Sequence, residues 1–293
     1  MAKQLIGYQE GYGFLYRLSG ASKLLFFILV SVACMTTYDT RFLIVVSLGS
    51  LVLFRLAKIK WQQVSFVMTL VVVFAVLNII MVYLFAPHYG DKIYGSSSLL
   101  LKGIGPYDVT SQELFYLFNL ILKYFCTVPL ALLFLMTTNP SQFASSLNQL
   151  GLSYKIAYAV SLTLRYIPDV QEEFYTIRRA QEARGIELSK KSNLVARIKG
   201  NLQIVTPLIF SSLERIDTVA TAMELRRFGK NKRRTWYSKQ SLEKSDIVLI
   251  ILALASLFVS LYLIHLNHGR FLTHGNKKLT LIVSFLFSLV KVS

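Results

Sequence analysis

Two short phrases in this chain share one frame. Residues 180–186 read AQEARGI and residues 222–228 read AMELRRF, with alanine, glutamate and arginine at matching places and an apolar residue at the end. The arginines are Arg184 and Arg226, and Glu182 and Glu224 occupy the matching acidic positions. A guanidinium stays charged and presents a planar fork of donors that fits a carboxylate at two points. The chemistry on offer is recognition: capture of a partner's carboxylates, at two equivalent places. A plainer reading also stands for each arginine alone. A cation at a helix C-terminus complements the helix dipole, by about 0.3–1 kcal/mol, and the glutamates are then ordinary surface charges. The repetition favours two equivalent surfaces.

Other chemistry is sparse. A phosphate-binding P-loop needs a Gly-Lys pair followed by Ser or Thr, and the one Gly-Lys pair here, Gly229-Lys230, is followed by Asn231. No bound cofactor is expected of this chain. His265, His268 and His274 have spacings that make a poor ligand template, and no carboxylate lies among them; no metal site is expected. Cys34 and Cys126 both lie in apolar runs and read as buried thiols. Asn78, Asn119 and Lys123 fall inside apolar runs. Intramembrane polar groups are functional candidates by default, although Lys123 could equally snorkel or pair within a helix bundle.

The phrases must be held by helices. From Ile156, apolar residues recur at 160, 164, 167, 170, 174 and 177, in steps of three and four, and the next places on that stripe are Gln181 and Arg184. The second stripe runs Ile198, Leu202, Val205, Ile209, Ser212, Ile216, Val219, Met223, and its next place is Arg226. Gly185 and Gly229 read as stops. Both arginines thus continue an apolar face, where a charge is desolvated only if a partner covers and pairs it. Pro168 and Pro207 predict a kink or break in each helix.

The rest of the chain is greasy. Hydrophobic residues make up 54% of its 293 residues, and they come in blocks, which places it among membrane proteins. Val64–Ala86, Leu114–Met136 and Ile247–Ile264 predict spanning helices. Leu24–Thr37 and Phe42–Leu56 are shorter, two short spans or a re-entrant hairpin. Leu279–Val292 is a final span or an interfacial helix. No cleavable signal peptide is expected.

The net charge of +17 is concentrated: residues 138–245 carry 18 of the 32 basic residues against 9 acidic ones. With the N-terminus inside, RLAKIK (residues 55–60) and this block both fall on the cytoplasmic side, while the charges of residues 87–112 cancel on the outer side. RRFGKNKRRTWY (226–237) mixes basic and aromatic residues as some nucleic-acid binders do. Just before a span it reads better as a cluster on anionic lipid, and no nucleic-acid partner is expected. The expected organisation is a transmembrane bundle over 1–137, a cytoplasmic region over 138–245 and C-terminal membrane segments over 246–293.

At ARG (183–185), LRR (225–227) and the lead-in TTNPSQFASSLNQLGLSYKIAYAVSLTLRYIPDVQEEF (137–174), the chain resembles the transmembrane T subunit of energy-coupling factor (ECF) transporters, the group that includes the cobalt-transport permeases. The resemblance implies an all-α membrane protein of the cell membrane, with five to six spans and two long cytoplasmic coupling helices. It implies a non-catalytic subunit whose arginines seat in two ABC ATPases, identical, unlike or fused as one double ATPase, with ATP held by those partners. It further implies a substrate-binding S component in the membrane that delivers a vitamin or metal ion. Carried onto this sequence, Arg184 and Arg226 are the anchors, flanked by Ala183, Gly185, Leu225 and Arg227. Leu225 and Arg227 are bulkier than the small flanks often found there. The competing expectation is a self-sufficient carrier or an intramembrane enzyme.

Overall fold

A computed structural model describes residues 13–95, 97–102, 107–185, 194–231, 235–236, 240–267 and 269–271, with the side chains of 194–199 excepted. In chain order the elements are α1 (Phe14–Arg17), α2 (Gly20–Thr36), α3 (Thr40–Leu56), α4 (Trp61–Phe85), α5 (Tyr89–Tyr94), β1 (Leu99–Leu101), β2 (Val109–Thr110), α6 (Ser111–Thr137), α7 (Pro140–Gln149), α8 (Tyr154–Ala183), α9 (Leu194–Leu225) and α10 (Lys244–Leu266). The architecture is all-α, with β1 and β2 forming a small antiparallel ribbon. The chain divides into two compact units, one made of residues 1–139 with 241–293 and the other of residues 140–240.

The first unit is the apolar bundle. Helices α4, α6 and α10 are long and apolar enough to cross a membrane. Helices α2 and α3 have 17 residues each, about 25 Å at 1.5 Å per residue, the lower end of what a span requires. They are separate helices because each has its own cap. The Ser19 side chain accepts from the Ala21 N–H, and the Asp39 carboxylate accepts from the Arg41 N–H. Helix α2 also begins one turn ahead of the apolar run. Lys23 is tolerated inside it because its ammonium donates to the Thr137 carbonyl at 2.9 Å, so the buried cation keeps a partner.

Polar ties set the directions of the helices. The Asp246 carboxylate, buried in the first turn of α10, accepts from the Ser19 N–H at 2.8 Å and the Ser22 hydroxyl at 2.5 Å. Its other oxygen accepts from the Glu243 N–H at 2.9 Å. One carboxylate therefore sits at the positive ends of two helix dipoles. At their far ends, Ser260 donates to the Ala33 carbonyl and the Asn267 amide donates to Asp39. Helices α2 and α10 are thus parallel along their length. Between them small buried residues, Ala33 and Ser260 among them, permit close approach. Helix α6 runs antiparallel to α2 and is the most buried of the long apolar helices, whereas α4 and α10 present apolar side chains outward, as a lipid-facing helix does.

It follows that the chain leaves this unit after Thr137 and re-enters before Lys244 at one and the same end, where Arg17, Arg55, Lys58 and Lys60 also gather. The opposite end mixes Asp39, Asp91, Asp108 and Glu113 with Arg41, Lys92, Lys102 and Arg270. This is the parity that the charge pattern predicts. Leu279–Val292, His268 and His274 lie outside the described residues.

Asn119 and Lys123 of α6 are absorbed by the bundle itself. The Asn119 carbonyl oxygen accepts from the Thr40 hydroxyl at 2.7 Å. Lys123 donates to the Met35 carbonyl at 2.9 Å, with its ammonium 3.2 Å from the centroid of the Tyr38 ring. Of the two expectations for Lys123, pairing within the bundle holds. Both cysteines are buried free thiols, with Cys126 Sγ 3.1 Å from the Leu43 carbonyl.

Replacing Asp246 by Ala strands three donors at a buried helix junction. The expected loss is about 3 kcal/mol, seen as a lowered thermal midpoint of the detergent-solubilised protein. Asp246→Asn, which retains an acceptor, loses less. An unaltered midpoint in Asp246→Ala would show that the junction does not hold α2 to α10.

Candidate functional site

The second unit carries both motifs. Helices α8 and α9 have 30 and 32 residues, about 45 Å each. Of the kink or break that the sequence predicts at Pro168 and Pro207, a break does not occur: each helix runs through its proline. A proline forfeits one backbone bond, and the remaining turns, together with the packing across the pair, outweigh that loss.

The two helices pack antiparallel. Tyr158 of α8 meets Phe228, which follows α9, with ring centroids 4.7 Å apart. Further along α8, Glu173 meets Ser211 and Arg215 of α9. Between these two points the helices line an open, apolar cavity of about 850 Å³. On α9 its wall is Ser212, Ile216, Val219 and Met223, the stripe that the sequence predicts. On α8 the wall is Ala159, Leu162, Tyr166 and Val170. That face is turned about one residue from the predicted stripe, sharing Ile167 and Val170 with it. The periodicity of aliphatic residues alone overlooks the alanine and tyrosine that share this face with Leu162 and Val170.

The aromatic end is the broader closure. Tyr154, Tyr158, Phe228 and Trp236 stack and tilt against one another, and the Trp236 indole N–H donates to the Asn148 carbonyl oxygen at 3.1 Å, tying in α7. Trp236 and Phe228 belong to the basic-aromatic stretch whose composition resembles that of some nucleic-acid binders. Here these two rings serve as packing.

Both motifs form helix C-caps of one design. At the end of α9, the Phe228 N–H bonds to the Met223 carbonyl at 2.9 Å and the Arg227 N–H to the Glu224 carbonyl at 2.8 Å. This is a Schellman motif with Arg226 at the C-cap. At the end of α8, the Gly185 N–H bonds to the Glu182 carbonyl at 3.0 Å, again with an arginine, Arg184, at the C-cap. The residue after each arginine is left-handed: Gly185 has φ +87° and Arg227 has φ +53°. The frame Ala-x-Glu-x-Arg-x-apolar is therefore a helix-ending signature. Ile186 lies outside the described residues.

The arginine side chains do not join the cavity. Its lining stops at Met223, Glu224 and Phe228, while Arg184, Gly185, Arg226 and Arg227 are exposed. Ala183 is exposed too, and Leu225 is 80% exposed. Glu182 pairs with Arg178 one turn earlier at 2.9 Å, and Glu224 stands at the margin of the cavity. The site is thus a pair of capped helix ends, each presenting an arginine at the surface. Glu173 and Arg215, paired at 2.6 Å, are not singled out by composition or periodicity. The signal for them is in the spacing: they stand 42 residues apart, the same separation as Arg184 and Arg226. Among the described residues no three His, Cys, Asp or Glu side chains gather as a metal site.

A bundle of apolar helices interrupted by a pair of long helices with matching arginine caps defines the class: an all-α, multi-span membrane protein. The cobalt transport protein family model, CbiQ, matches residues 13–237, and the chain belongs to that family. It is 26% identical over 272 residues to the energy-coupling factor transporter transmembrane protein EcfT of Streptococcus thermophilus, covering 90% of this chain and 99% of that one. It is 27% identical over 261 residues to the EcfT of Streptococcus equi subsp. equi, covering 86% and 93%. A putative ABC transporter ATP-binding protein of Bifidobacterium longum is 29% identical over 153 residues, half of this chain and 20% of that one.

The two caps should respond oppositely to substitution. No atom lies within 4 Å of a Cβ built on Gly185, so Gly185→Ala should cost only the left-handed strain, about 1 kcal/mol. Arg227→Gly should relieve the same strain and stabilise by about 0.5–1 kcal/mol. Chemical unfolding midpoints test both, and a stabilised Gly185→Ala would contradict the left-handed assignment.

Proposed function

We propose that this chain is the transmembrane energy-coupling subunit of an ECF-type ABC importer. It binds two ABC ATPase subunits, or one fused double ATPase, through Arg184 and Arg226. It passes the work of their ATP hydrolysis to a substrate-binding S component in the cell membrane, which takes up a vitamin or a metal ion. The observation that carries this reading is the equivalence of the two caps: one backbone geometry, used twice, puts an arginine at the exposed end of each of two antiparallel helices. Membership of the cobalt transport family and the names of the EcfT relatives support it. So does the relative named as an ATP-binding protein, of which this chain matches one fifth.

In this reading each guanidinium forms a bidentate pair with a carboxylate in an ATPase cleft. Ala183 and Gly185 leave room beside Arg184, and Leu225 and Arg227 make the second contact larger. The two ATPase surfaces therefore differ. Glu182 and Glu224 support the caps. ATP is held and hydrolysed by the partners, the chain itself is not an enzyme, and the basic segment that follows α9 lies on anionic lipid with the motifs on the cytoplasmic side.

Co-expression with the ATPases, followed by affinity recovery of this chain, tests the reading. Arg184→Glu or Arg226→Glu alone should lower the recovered ATPase about tenfold or more, as loss of one buried charge pair does. The double variant should recover almost none. Undiminished ATPase in the double variant would overturn the proposal.

A further inference from the structure

Glu173 and Arg215 form an ionic contact between α8 and α9. We propose that this pair is the pivot of the helix crossing, a positioning pair that holds the two motif arginines at equal arm's length. The inference rests on the anchoring role proposed above for those arginines. Glu173 precedes Arg184 by the same interval at which Arg215 precedes Arg226. At 1.5 Å per residue each arm is about 16 Å long. The interval makes three helical turns with about 20° to spare, so each pivot residue shares a helix face with its own arginine. Because the helices are antiparallel, the arms point in opposite directions from the crossing.

The arms are built to be stiff. Both prolines precede the pivot, Pro168 before Glu173 and Pro207 before Ser211 and Arg215. Neither arm, 173–184 or 215–226, contains proline or glycine, the residues at which helices usually bend. The pivot is built to be directional. One oxygen of Glu173 accepts from the Ser211 hydroxyl and the other from Arg215 Nη2 at 2.6 Å. The Arg215 guanidinium also lies 5.8 Å from the centroid of the Tyr166 ring. Apolar contacts have no preferred direction, and the cavity beside the pair leaves that part of the interface loosely filled. The hydrogen-bonded fork gives the crossing a preferred direction at this point, and the aromatic closure at Tyr158 and Phe228 holds the other. The Arg215 and Glu173 side chains are 32% and 21% exposed, so their contribution to stability is small. Their contribution is geometric: a load on one arginine turns a lever about the crossing.

Paired spin labels at Ala183→Cys and Leu225→Cys, in the full chain in detergent, read the distance between the anchors directly. Cys34 and Cys126 are buried and stay unlabelled. The parent should give one narrow distance distribution. Glu173→Gln or Arg215→Gln should broaden it about twofold, and the exchanged pair Glu173→Arg with Arg215→Glu should return it to parental width, as a double-mutant cycle requires of partners in contact. In unlabelled chains, ATPase recovery should fall about tenfold in either single variant, within the usual span of coupling energies, and return in the exchanged pair. An unbroadened distribution in the single variants, or no return in the exchanged pair, overturns the pivot. Broadened distances with full ATPase recovery overturn its positioning role. The label experiment needs no ATPase, so it stands even if the Arg184 and Arg226 variants show that the anchoring reading fails. Circular dichroism that shows undiminished helix in the single variants separates a changed crossing from unfolding.

Discussion

An α-helix cannot end without partners for its last carbonyls, and the rest of the second unit follows from how α8 and α9 meet that demand. Each closes with a left-handed residue that turns the chain back on its own carbonyls, so the residue before it, an arginine both times, stands at the exposed rim. The cap fixes the point from which the guanidinium reaches out. A recognition group set on a helix end in this way is better placed than one on a loop, because the whole ordered helix stands behind it.

The first unit solves a different problem. Its helices are apolar almost throughout, and hydrophobicity alone gives them little reason to choose one neighbour over another in lipid. Choice comes from polar atoms that have nowhere else to go. Asp246 joins the starts of α2 and α10, Lys23 joins α2 to the end of α6, and Thr40 with Asn119 joins α3 to α6. Each is a buried polar group whose partner is fixed by the cost of leaving it unpaired. Together they bring the two chain crossings to one end of the bundle.

Much of this is legible in the sequence. The three long apolar runs mark α4, α6 and α10 because length and composition suffice for a span. The stripe of α9 is readable because its wall is aliphatic, and Gly185 announces the stop of α8. The features that the sequence misplaces have physical causes. The packing face of α8 mixes alanine, threonine and tyrosine with Leu162, Ile167 and Val170, and an aliphatic count ignores the first three. The prolines break neither helix because their cost is local and the packing that offsets it is not. The arginines do extend the apolar stripes in register, yet in the chain alone they stand exposed at the caps. The pairing of Glu173 with Arg215 depends on the antiparallel crossing, which no single-helix pattern encodes.

The carboxylate of Asp246 has a consequence for how the molecule is made. Its partners Ser19 and Ser22 emerge from the ribosome 227 and 224 residues earlier. At about 5–20 residues per second, the first membrane helix waits on the order of ten to forty-five seconds for the acceptor that completes its start. During synthesis the nascent N-terminal segment therefore needs a temporary companion, water at the bilayer surface or the insertion machinery, until α10 arrives as the latch on the start of α2.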